Sequence, residues 1–143
     1  MSTEPKAPSL LVRPEDAIPF SRGNGVETLP YVGRWNSTRS SLTTGITVFQ
    51  PGTAIPLHTH NVEECVLVLE GQALVTIGDQ QFEVVAGTNT WVPPDVPHCF
   101  ANRGAGVMRI YWTYGGLLVT RTICATGETF EHLSDKDRGA IST

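Results

Sequence analysis

The pattern that most constrains this chain is a series of short β-prone runs, each closed by a glycine, proline or asparagine turn. Between residues 43 and 123 no segment has an apolar period of 3.6 that is long enough for a helix. The run QALVTI meets QQFEV across Gly78 and Asp79, which is a two-residue hairpin signal with glycine first. Many short strands at regular spacing are typical of a sandwich or barrel. The sequence therefore predicts an all-β fold.

The length of 143 residues fits one domain with a sizeable core. Residues 1–9 are polar and contain prolines, so we predict a disordered N-terminal tail. Residues 10–130 are predicted to form a single barrel domain. Residues 131–143 read as a polar C-terminal tail, in which His132 is expected to be a solvated surface side chain.

Composition narrows the partners and the location. A net charge of −4 gives no reason to expect nucleic acid as a partner. The sequence contains no run of eighteen apolar residues, so we predict no membrane-spanning helix. The N-terminus lacks a basic region followed by an apolar core, which argues against a secretory signal. Cys65, Cys99 and Cys124 have no CxxC spacing, so neither a disulfide framework nor a zinc knuckle is indicated. We expect a cytoplasmic protein with reduced thiols.

Two stretches concentrate the residues that bind metals. His58, His60 and Glu64 are evenly spaced in an apolar, β-prone run, so their side chains point to the same side of a strand. Glu63 points to the opposite face and is expected to be a surface charge. A second stretch with similar turn residues contains His98. Imidazole and carboxylate groups that converge on one point are typical of a divalent metal site.

These stretches resemble the two sequence motifs of the cupin superfamily. The first motif is matched at every fixed position, by Gly52, His58, His60, Glu64 and Gly71. The second is matched by Gly87, Pro93, His98 and Asn102. It departs at one position, where Asp95 replaces a turn glycine, and aspartate tolerates left-handed backbone better than most residues. The resemblance covers residues 43–115 and implies a double-stranded β-helix, the jelly-roll barrel of cupins.

The resemblance also implies one divalent transition metal per chain, held by His58, His60, Glu64 and His98. Ligand type alone leaves iron, manganese, nickel, cobalt, copper and zinc open. Four protein ligands leave two positions of an octahedral shell free, which favours a working site over a structural one. Strand parity adds candidates for the substrate pocket, although packing in the core is the more ordinary role of the aromatic ones: Phe100, Asn102, Ile110, Trp112 and Tyr114.

The functional prediction is a metal-dependent enzyme that acts on a small organic molecule. It leans to a mononuclear non-haem dioxygenase of enol or carbonyl compounds, because the predicted interior is apolar and lacks an obvious second acid/base group. The alternative is an isomerase, lyase or decarboxylase that uses the ion as a Lewis acid, with Glu64 as a catalytic proton acceptor. A non-catalytic ligand-binding or sensing cupin module also stays open.

The run from Cys65 to Leu69 is apolar on both faces. Val66 and Val68 share the parity of the metal ligands and are predicted to face the interior. The alternate residues face outward and need a cover, either from the N-terminal segment or from a second subunit. We therefore expect a homodimer.

Overall fold

The structure is a computed structural model that describes residues 11–142, so the predicted N-terminal tail at 1–9 lies outside the described residues. Within 11–142 the chain forms fourteen strands and one 3-10 turn (Pro14–Asp16), and no α-helix. The strands are β1 (Phe20–Gly23), β2 (Val26–Val32), β3 (Thr43–Phe49), β4 (Thr53–Ala54), β5 (His58–His60), β6 (Glu64–Glu70), β7 (Gln72–Ile77), β8 (Gln80–Val85), β9 (Asn89–Val92), β10 (His98–Asn102), β11 (Met108–Tyr114), β12 (Thr120–Ile123), β13 (Thr129–Glu131) and β14 (Ile141–Ser142).

These strands form two antiparallel sheets. The order in the first is β1-β2-β3-β11-β6-β9, and in the second β13-β12-β5-β10-β4-β14, with β7 paired to β10 and β8 to β7. Neighbouring strands such as β3 and β11 are far apart in sequence, because the chain repeatedly crosses between the sheets. This topology confirms the predicted all-β, jelly-roll fold. The predicted hairpin is also confirmed, since β7 and β8 pair with Ile77 opposite Gln80.

The inner faces of the two sheets form the core. Burial alternates along β6 as predicted: Val66 and Val68 are fully buried, whereas Leu67 and Leu69 are 37% and 40% exposed. The same alternation buries every second residue of β11, from Met108 to Tyr114. The Trp112 ring packs directly against the backbone of Gly45 on β3. A Cβ at that position would lie 2.5 Å from the ring, so only glycine leaves enough room.

The stretch after residue 130 packs onto the barrel, so its prediction as a solvated tail is wrong. His132 is 3% exposed and Asp137 is fully buried, and β14 pairs with β4. The Asp137 carboxylate lies 3.4 Å from Arg22 and 3.3 Å from Arg121. Sequence composition does not reveal the ion pair between Asp137 and Arg22, because Arg22 precedes Asp137 by 115 residues. The expectation that His132 is a surface side chain is wrong for the same reason.

Asp95 occupies the left-handed conformation that its motif position requires, with φ of +63°. Its N–H donates to the carbonyl of His60, 2.8 Å away, so this turn is tied to β5. We expect Asp95→Val to lower the free energy of unfolding by about 1–2 kcal/mol relative to Asp95→Gly, because a β-branched residue is strained at positive φ. Urea unfolding of the two variants measures the difference. Equal stabilities would contradict this account of the turn.

Candidate metal centre

Three strands bring the predicted ligands together. His58 and His60 lie on β5, while Glu64 begins β6 and His98 begins β10. His98 is directly opposite His58 in the pairing of β10 with β5. All four side chains are buried, and the centroids of the three imidazole rings lie 4.4–5.1 Å apart. The even spacing in the sequence therefore produces one compact cluster.

Main-chain carbonyls fix the tautomer of each imidazole. Every Nδ1 lies within hydrogen-bond distance of a carbonyl oxygen, in the pairs His58 with Pro56 (2.6 Å), His60 with Thr120 (2.9 Å) and His98 with Val96 (2.8 Å). A carbonyl oxygen only accepts, so each Nδ1 carries the proton and donates it. The Nε2 atom of each ring is therefore left with a free lone pair.

These lone pairs fit a divalent ion. Among the residues that the structure describes, the buried Nε2 atoms of His60 and His98 have no hydrogen-bond partner. The ligand atoms of His58, His60 and His98 all lie within 4.8 Å of one another. Buried polar atoms without a partner are costly, and a cation that accepts their lone pairs would remove the cost. The donor set of neutral imidazoles suits a first-row transition metal.

Glu64 stands beside this cluster and faces it with a carboxylate oxygen. Its Oε1 lies 3.0 Å from His98 Nε2. Two adjacent ligands of one octahedral ion, with bonds of about 2.1 Å, are separated by about 3 Å. Burial raises the pKa of Glu64, but contacts with His98, His60 and Tyr114 outweigh that effect and lower it overall. The carboxylate is therefore ionised at neutral pH.

Two of these histidines, His58 and His60, are neutral at pH 7. Burial, and after it the charge of Arg121, lowers the pKa of His58 well below its usual range. Burial is also the main cause that lowers the pKa of His60 to about 4. Because a metal binds only the deprotonated imidazole, the folded protein presents these two ligands in the required form.

A small cavity of about 20 Å³ adjoins the ligands. Four of the predicted pocket residues lie in its wall: Phe100, Ile110, Trp112 and Tyr114. Asn102 does not, and this part of the prediction is wrong. Its Nδ2 donates to the carbonyls of Phe49 and Gly106, and its Oδ1 accepts from the N–H of Gly104. Asn102 therefore ties loops together at the far end of β10.

The cavity wall also contains residues that sequence reasoning missed, namely Arg22, Arg121 and His132. The prediction of an interior without a second acid/base group is therefore wrong. The His132 ring lies edge-on to Trp112 and Tyr114, with centroids 5.1 Å and 4.9 Å away. One signal was available for Arg121, since it shares strand parity with the buried, apolar Val119. A charge at an apolar position of a strand is a reason to look for a buried partner.

A comparison with family models identifies the fold family. The model that matches is the cupin domain, over residues 45–114, and this range contains all four predicted ligands. The chain belongs to the cupin superfamily. Solved cupin structures agree with this assignment at the level of the fold. An RmlC-like cupin from Shewanella frigidimarina has a TM-score of 0.65 at 18% identity, over 76% of this chain and 91% of that one.

A second structural match is an oxalate decarboxylase from Bacillus subtilis. Its TM-score is 0.73 at 15% identity, over 92% of this cupin and 41% of that chain. Among curated proteins, the cupin is 31% identical over 108 residues to the HTH-type transcriptional regulator PuuR of Escherichia coli. This alignment covers 75% of the cupin and 57% of the regulator, so the chain spans about half the length of the curated relatives it matches.

No helix in residues 11–142 has the length and apolarity needed to cross a bilayer.

Proposed function

We propose that this cupin is a metal-dependent enzyme that acts on a small organic molecule. The observation that carries the proposal is the pair of buried Nε2 atoms, on His60 and His98, that make no hydrogen bond within residues 11–142. One divalent transition metal per chain would be held by these two residues together with His58 and Glu64. When bound, such an ion supplies Lewis-acid or redox chemistry to a ligand in the cavity.

The chain's own residues favour a reaction with proton transfer. Burial, and then the charge of Glu64, raises the pKa of Tyr114 well above its usual range, so its hydroxyl stays protonated and hydrogen-bonds Glu64. Burial lowers the pKa of His132 well below its usual range, so its imidazole is neutral at pH 7. A protonated hydroxyl and a neutral imidazole in one cavity can hydrogen-bond a substrate that gains and loses a proton, as in an isomerase, lyase or decarboxylase. We therefore place that class ahead of the dioxygenase.

The experiment that tests this proposal combines metal analysis with a substrate screen. Elemental analysis of the purified protein establishes the ion, and NMR then follows a panel of carbonyl, enol and carboxylic acid compounds beside an oxygen electrode. Product formation without oxygen uptake supports the proton-transfer class, and oxygen uptake supports the dioxygenase instead. A protein that binds no metal even after reconstitution would overturn the enzyme proposal.

A ligand-sensing module is the second candidate function, and the match to an HTH-type transcriptional regulator favours it. Residues 11–142 contain no α-helix, so any DNA-reading helix would have to come from outside this range. The substrate screen also separates this candidate, because a sensor binds a ligand from the panel without turning it over.

We also propose a cytoplasmic homodimer, built on the outer face of the first sheet. Leu67, Leu69 and Trp91 are exposed there on the adjacent strands β6 and β9. An apolar face of this kind is a common dimer interface. Light scattering on the purified protein measures the mass, and Leu67→Lys is expected to shift a dimer toward the monomer. A wild type with monomer mass would refute the proposed dimer.

A further inference from the structure

The cavity beside the metal ligands contains two buried guanidinium groups, from Arg22 and Arg121. The bonds of Arg22 hold it in place. Its Nε donates to Thr28 Oγ1 (3.0 Å), and its terminal nitrogens reach the carbonyl and the carboxylate of Asp137 at 2.8 Å and 3.4 Å. Arg22 and Asp137 are thus a paired, structural unit.

Arg121 differs from Arg22 because its guanidinium makes no hydrogen bond to the described residues. Its Nε lies 3.3 Å from Asp137 Oδ1, but both atoms are buried without hydrogen-bond geometry. The same carboxylate already faces Arg22 and accepts the N–H of Leu133 at 2.8 Å. Asp137 therefore attracts Arg121 and keeps it in position, while the donors of the Arg121 fork stay available to a ligand.

The position of Arg121 in the sheet directs it toward the metal centre. Arg121 is directly opposite His60 in the pairing of β12 with β5, and so shares its face. The side chain is only 4% exposed and lies in the wall of the cavity with His58 and Glu64. Arg121 is therefore a buried guanidinium beside the predicted metal ligands, and it makes no hydrogen bond within residues 11–142.

We propose that Arg121 binds the carboxylate group of a small organic acid that occupies the metal cavity. The inference rests on the proposed metal site, because a bound ion would occupy Glu64 and leave the two arginines facing the single carboxylate of Asp137. A ligand carboxylate supplies the missing negative charge, and its two oxygens match the planar fork of an arginine. The cavity of about 20 Å³ is small, so only the smallest organic acids are candidates.

The test compares acetate with acetamide, which has nearly the same shape and no charge. Calorimetry on the zinc-reconstituted protein is expected to show binding of acetate and much weaker binding of acetamide. Arg121→Gln is expected to raise the Kd for acetate about 10- to 100-fold, since it removes a charge-assisted pair. Arg39→Gln is the matched control, because Arg39 is exposed and lies outside the cavity wall, and it should leave the Kd unchanged.

Separate readouts distinguish failure of this inference from failure of the metal site. Bound zinc is measured for every variant, and Arg121→Gln is expected to retain it. A wild type that takes up zinc but binds acetate no better than acetamide overturns the role of Arg121 alone. A wild type without zinc overturns the proposed function first and this inference with it. If Arg121→Gln does not fold, Arg121→Lys keeps the charge without the fork and is expected to weaken acetate binding about tenfold. An unchanged Kd in either folded variant overturns the proposal.

Discussion

Replacing His98 with alanine is expected to reduce bound metal from about one ion per chain to a trace. The binding free energy of a zinc site with four protein ligands is about 10–16 kcal/mol, so one ligand accounts for about 3 kcal/mol, or about 100-fold in Kd. His98 is central to the cluster, because its Nε2 lies 3.0 Å from Glu64 and its strand position is opposite His58. Elemental analysis after dialysis against a weak chelator measures the loss.

Two adjacent glutamates provide a matched control for this experiment. Glu64 is buried beside His98, whereas Glu63 is exposed and accepts a hydrogen bond from the Trp91 indole at 3.0 Å. Glu64→Ala is therefore expected to lose metal, and Glu63→Ala to retain it. Full occupancy in His98→Ala, or the same loss in both glutamate variants, would contradict the proposed site.

Lowering the pH from 7.5 to 5.5 is expected to reduce the unfolding free energy of the metal-free protein by about 4 kcal/mol. Burial lowers the pKa of three histidines, His58, His60 and His132, and for His60 the folded value is about 4. In the unfolded chain the same imidazoles have a pKa of about 6.5. The unfolded state therefore binds more protons than the folded state as the pH falls through about 6.5. Each of the three histidines then lowers the free energy of unfolding by about 1.4 kcal/mol between pH 7.5 and pH 5.5.

Urea unfolding of the chelator-treated protein at the two pH values measures this change. His132→Gln removes one of the three groups without touching the predicted ligands, so its loss between the two pH values should be about two-thirds of that of the wild type. An unfolding free energy that is the same at both pH values, within about 1 kcal/mol, would show that these histidines are not buried in neutral form.

The fold and the histidine cluster could be predicted because both are local properties of the sequence. The alternation along β6 places Val66 and Leu67 on opposite faces, and the parity that Val66 shares with Glu64 assigns it to the inside. The same parity brings His58 and His60 to one face. Asp95 shows that a departure from a motif is predictable too, since its φ of +63° is one that aspartate tolerates.

The charged half of the cavity could not be predicted in the same way. Asp137 lies in a stretch whose composition is that of a solvated tail, and its partners are supplied by β1 and β12. An ion pair between segments 115 residues apart leaves no periodicity in the sequence. His132 lies in the same stretch and is also buried, which removes the main reason for preferring a dioxygenase. Long-range pairing, rather than local pattern, thus determines the acid/base content of this site.

The carbonyl contacts of the three imidazoles have a consequence for how such a centre evolves. The groups that orient His58, His60 and His98 are the main-chain oxygens of Pro56, Thr120 and Val96. Any amino acid at those three positions offers the same oxygen, so mutation there can change the side chain and leave the tautomers intact. Substitutions around the cluster can therefore accumulate without changing its coordination chemistry, and a comparison of sequences alone would overlook the groups that orient the ligands.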